Sequence, residues 1–92
     1  MNQRSTMGMN VEEVRQMAAV LQEAAAEIEQ ISSELTSGLE QVDWTGPDAD
    51  RFRGQWQSEM IPTLQRLSAS VTELSTAAQR NASEQESASA SR

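Results

Sequence analysis

A chain of 92 residues with 14 acidic side chains, seven basic ones that are all Arg, and a net charge of −7 is one small domain at most. Its acidity argues against binding nucleic acid or anionic lipid, and no apolar run approaches the ~20 residues of a membrane span, so stable membrane insertion is not expected. The sequence holds no His, Cys, Tyr or Lys, which removes the commonest general bases, the thiol nucleophile, the Schiff-base amine and the usual zinc ligands; neither catalysis nor a cofactor nor a metal is expected.

Residues 1–9 are polar, Met-dotted and unpatterned. They read as a loose tail, with no apolar core of the kind a Sec signal peptide needs. Asn10 with Glu13 makes a capping box, and Met9 and Val14 stand at the staple positions, so a first helix is expected over about 11–42. Its apolar pattern is a heptad. Val14, Leu21, Ile28, Leu35 and Val42 form one row, and Met17, Ala24, Ile31 and Gly38 the next. A flanking row, Ala18, Ala25, Ser32 and Leu39, widens the stripe. Gly38 weakens the last turns, and its missing side chain suggests a close approach by a neighbouring backbone.

At residues 43–46 the periodicity breaks. Asp43-Trp44-Thr45-Gly46-Pro47-Asp48 places a Trp beside the two strongest helix breakers, and predicts the turn of a helical hairpin. Helix 2 is expected from Pro47 to about residue 81, with Thr45 or Gly46 as N-cap and Asp48 and Asp50 suited to the helix dipole. Each Asp has an Arg three residues on, Arg51 and Arg53. The stripe continues through Ala49, Phe52, Trp56, Met60, Leu64, Leu67, Val71, Leu74 and Ala78. Its early steps are of four residues, so it drifts around the helix. Pro62 predicts a kink or a local break. Residues 82–92 hold no large apolar side chain and read as a disordered tail.

The fold class is therefore all-α, a helical hairpin. The candidate packing residues are Val14, Met17, Leu21, Ile28, Ile31 and Leu35 on the first arm, and Phe52, Trp56, Met60, Leu64, Leu67, Val71 and Leu74 on the second. Two helices hide only the sides that face each other. The remaining apolar surface calls for another chain, and a four-helix bundle of two hairpins supplies it. Trp44 has two readings, a packing anchor at the bend or an exposed recognition residue, and the residues alone favour the anchor.

The length, the paired heptads and the central Trp44-Thr45-Gly46 resemble the WXG family, the early-secreted-antigenic-target-like proteins of type VII (ESX) secretion. The run from Asp43 to Phe52 is similar to that of actinobacterial members, and the hairpin resemblance covers nearly the whole chain. The resemblance implies antiparallel pairing with a second hairpin, either another copy or a paralogous chain. It further implies export from the cytoplasm as a folded dimer without a cleaved signal, to the cell surface or beyond. It makes Trp44 and Gly46 part of a composite signal, completed by the end of the partner's helix 2 and read by the membrane ATPase of the machinery. That reverses the preference for Trp44 as a mere anchor. Exported members often carry Tyr-x-x-x-Asp/Glu after helix 2. Here Asn81-Ala82-Ser83-Glu84-Gln85 stands about there. Three readings follow: a partner carries the signal, a different tail is read, or the chain stays inside as an adaptor that binds a larger effector through its stripes. A membrane-active role ranks below these because the polar faces are acidic.

Overall fold

The computed structural model describes residues 9–90; most of the expected N-terminal tail and residues 91–92 lie outside them. The chain is a helical hairpin, a rod of 67 × 18 × 17 Å. Helix α1 spans Val11–Gln41. The second arm is α2, Pro47–Gln55, then a π-helical turn, Trp56–Met60, then α3, Ile61–Ala90. Asn10 caps α1, its side-chain oxygen accepting from the Glu13 N–H at 3.2 Å.

The seam between the arms is built from small residues. Ala18, Ala25 and Ala82 are buried, and so are Ser68 and Ser75. Such side chains let two helix axes come close, so each serine hydroxyl reaches a carbonyl of the facing helix. Ser68 Oγ donates to Ala25 O at 3.0 Å, and Ser75 Oγ to Ala18 O at 2.7 Å. Each bond adds about 1 kcal/mol net and, more to the point, fixes the register, because a slip would leave a buried hydroxyl unpaired. Ala82, seven residues beyond Ser75, continues the spacing of Ser68 and Ser75 and is buried in turn.

This seam divides the expected packing set. Of those residues Trp56 is buried, while Val14, Leu21, Ile28, Leu64 and Val71 are half-buried. Met17, Ile31, Leu35, Phe52, Met60, Leu67 and Leu74 are exposed within the single chain. The row that seemed only to widen the stripe, Ala18, Ala25 and Ser32, is the one that faces the second arm. Bulky residues cannot stand between axes this close, so they flank the contact.

The π turn follows from counting. Trp56 and Ser68 are both buried, yet they stand twelve positions apart. Three α-helical turns use about eleven residues. The extra residue is absorbed where the Ile61 N–H bonds Trp56 O, five residues back rather than four. Pro62 follows immediately, so its missing N–H and its ring fall where the ladder is already widened. The second arm thus neither breaks nor ends at Pro62. Trp56 is tied across the hairpin by Nε1, which donates to Thr36 Oγ1 at 2.9 Å; that hydroxyl donates onward to Ser32 O at 2.8 Å.

Two expectations are corrected. Helix α3 runs through Ala90, so residues 82–90 are helical rather than a disordered tail. A seam of small residues needs no large side chain to continue it, and Ala82 is fully buried. The Arg15 guanidinium meets the Glu86 carboxylate at 2.7 Å, and this hydrogen bond and charge hold Glu86 below the usual carboxylate range. Second, nothing lies within 4 Å of where a Cβ on Gly38 would sit, so Gly38 marks no close backbone approach.

Candidate functional site

Between α1 and α2 the backbone leaves the helix altogether. Helix α1 ends without a basic residue in its last turn, and its C-cap, Val42, is extended. The Val42 N–H still reaches Gly38 O at 3.0 Å, and the Trp44 N–H bonds Val42 O at 3.0 Å, closing a tight bend. Gly46 then takes φ 113° and ψ 175°, a region that side-chain-bearing residues avoid. This redirects the chain, with Gly46 serving as N-cap and Pro47 opening α2. The Asp50 N–H closes the first turn on Gly46 O at 3.0 Å.

Arg53 binds this bend together. Its Nε donates to Leu39 O at 3.0 Å, Nη1 to Trp44 O at 2.9 Å, and Nη2 to Val42 O at 3.4 Å. Its guanidinium carbon lies 5.9 Å from the centre of the Trp44 ring, within reach of a cation–π contact. On the same ring Phe52 packs at 5.5 Å between centroids, tilted by 60°. Trp44 remains 39% exposed and Phe52 49%. The tip therefore carries an aromatic pair open to solvent on a backbone held from inside. Arg51 behaves as the spacing suggests, bonding Asp48 at 3.0 Å. Arg53, read from the same spacing as a partner of Asp50, turns inward to carbonyls instead.

The second feature is the broad apolar face. Met17, Ile31 and Leu35 on α1, and Met60, Leu67 and Leu74 on the second arm, recur at heptad spacing beside the seam and are 42–59% exposed. The heptad phase sets both rows on the same side of the hairpin. The opposite side carries Arg15, Gln22, Glu29, Gln65, Thr72 and Glu86. A shallow groove of ≈ 400 Å³ opens between the arms beside the π turn, lined by Ile28, Ser32, Thr36, Ile61 and Leu64, with Glu29 its one charged residue. Among the described residues no group of acidic side chains is arranged to hold a metal ion, and no helix is long and apolar enough to cross a membrane.

A family pattern described as "WXG100: Proteins of 100 residues with WXG" matches residues 6–89, a stretch that contains all of the hairpin but its last residue and has Trp44-Thr45-Gly46 at its bend. The chain belongs to the WXG100 family. No curated protein and no solved structure matches it. Membership associates this chain with a non-enzymatic, secretion-related group of small proteins, those of the type VII, or ESX, systems. In this WXG100 chain Trp44 and Gly46 both stand in the turn at the tip, and the residue that binds Trp44, Arg53, lies outside the three-letter motif.

Proposed function

We propose that this WXG100 protein is a non-catalytic substrate of a type VII secretion system. In this reading two hairpins pair through their apolar faces into a four-helix bundle, and the Trp44–Gly46 turn forms part of a composite export signal read by the membrane ATPase. The observation that carries the pairing is the face itself. Six large apolar side chains stand exposed in heptad rows on one side of a rod whose own seam is already complete. Fully burying a side chain of this size is worth ~1.5–3 kcal/mol, and these are 42–59% exposed, so a second hairpin laid on the face gains about half of that on each one. Export as a folded unit leads from the cytoplasm to the cell surface or beyond.

The test has two arms. Light scattering on the purified chain is expected to give about twice the 10.1 kDa chain mass, with strong helical circular dichroism on the same sample. In the native host, the protein is expected in culture supernatant only while the type VII ATPase is intact. Supernatants that lack it in both strains would overturn the export reading.

A second reading rests on one specific feature. The segment Asn81–Gln85, where exported relatives often carry Tyr-x-x-x-Asp/Glu, has no Tyr, and it is folded into α3. An adaptor that docks a larger effector on the same face would need no signal of its own. Copurification of that effector with a chain that stays monomeric alone would favour it.

A further inference from the structure

We propose that Arg53 is the positioning residue of the Trp-x-Gly turn: it closes the open end of α1 from the opposite arm and thereby holds Trp44 in one pose. The proposal rests on reading this turn as a recognition element and adds the residue that shapes it.

The argument begins with what α1 lacks. The last carbonyls of a helix have no partners within it, and helices commonly satisfy them with a left-handed glycine just past the end or with a basic side chain in the last turn. Neither is present here. Gly46, the only residue with positive φ among those described, stands five positions beyond Gln41, and the last turn has no basic residue. The positive charge and the side-chain donors come from Arg53, well along α2, beside the Val42 and Trp44 N–H groups. A guanidinium is a rigid planar fork of N–H groups. Here three of its nitrogens meet three different carbonyls: Leu39 in the last turn, Val42 at the cap, and Trp44 itself. The same group lies over the Trp44 ring. Backbone and indole of Trp44 are thus located by one side chain, and the adjacent Phe52 bounds the ring. A lysine ammonium, a single point on a flexible stem, cannot meet three carbonyls and a ring face at once.

The experiment uses a chain in which Trp56→Phe leaves Trp44 as the only tryptophan. Into it are placed Arg53→Gln and Arg53→Lys. The expected result for Arg53→Gln is a red shift of Trp44 emission and a rise in its acrylamide quenching, with most of the helical signal retained. Arg53→Lys is expected to keep the charge and not restore either reading. Unchanged emission and quenching in Arg53→Gln, or full restoration by lysine, would overturn the proposal. A second measurement needs no variant at all. In the unsubstituted protein the Arg53 Nε–H resonance is expected to be protected from exchange and coupled to the Leu39 carbonyl; exchange at the rate of a free guanidinium would also overturn it. A loosened Trp44 with parental export of Arg53→Gln would uphold the positioning role and count against the turn as an export signal, so the two readings fail separately.

Discussion

Gly46 is held at φ 113° with open space around it: nothing lies within 4 Å of where a Cβ would sit. Any penalty for a side chain there is therefore a backbone penalty, free of steric crowding. Gly46→Ala is expected to lower unfolding stability by about 1–3 kcal/mol in urea titrations, the typical cost of forcing a side-chain-bearing residue into such a region. A change within error of zero would mean that the turn relaxes at no cost. At this scale the sequence announced Trp44 and Gly46, because breakers and a large aromatic side by side admit few readings. Arg53 was not legible for a definite reason. Its partners are carbonyl oxygens, which every residue has and no letter marks, whereas Asp50, the partner that spacing offered, is visible as a letter. The serines of the seam escaped notice in the same way, since Ser68 and Ser75 also bond carbonyls.

Both arms were readable as helices from their heptads and breakers. What was not readable was which row of each heptad faces the other arm. Hydropathy ranks Leu above Ala and Ser, so it points to the bulky row; axis proximity selects the small one. The same bias hid the last turns of α3, which continue a seam of small residues through Ala82. The drift of the Phe52, Trp56, Met60, Leu64 steps was the visible trace of the π turn, and Pro62 its marker. A paired deletion tests this account. Removing Ser58 together with Pro62→Ala takes out the surplus residue and the ring that needs the widened ladder, and the arm is expected to fold as an uninterrupted α-helix with a melting temperature near the parent's. Removing Ser70 instead, between Ser68 and Ser75, shifts every later seam residue, and cooperative melting is expected to be lost. Equal effects of the two deletions, followed by circular dichroism, would refute the phase argument.

For the molecule as a whole, charge and apolar surface are distributed unequally. Helix α1 carries Glu12, Glu13, Glu23, Glu27, Glu29, Glu34 and Glu40 against Arg15 alone, while the second arm mixes both signs. In the proposed pairing, two identical hairpins would repel each other at long range through this charge and attract through their apolar faces. Added salt is expected to tighten the pair by screening. Leu67→Glu is expected to weaken it by about 1.5–3 kcal/mol, because symmetry removes two leucines and each, 48% exposed in the single chain, gains about half of the full burial energy on pairing. Sedimentation across salt concentrations checks both, and helicity retained by the resulting single chains shows that the substitution left the hairpin intact. A pair indifferent to Leu67→Glu would place the contact elsewhere. The narrow seam has an evolutionary corollary. Cohesion within the chain rests on Ala18, Ala25, Trp56, Ser68, Ser75 and Ala82 with the half-buried Val14, Leu21, Ile28, Leu64 and Val71 beside them, and the outward rows of Met17, Ile31, Leu67 and Leu74 contribute less to it. After gene duplication, one copy is free to drift in those outward rows and acquire a new mate, while its architecture stays as it was.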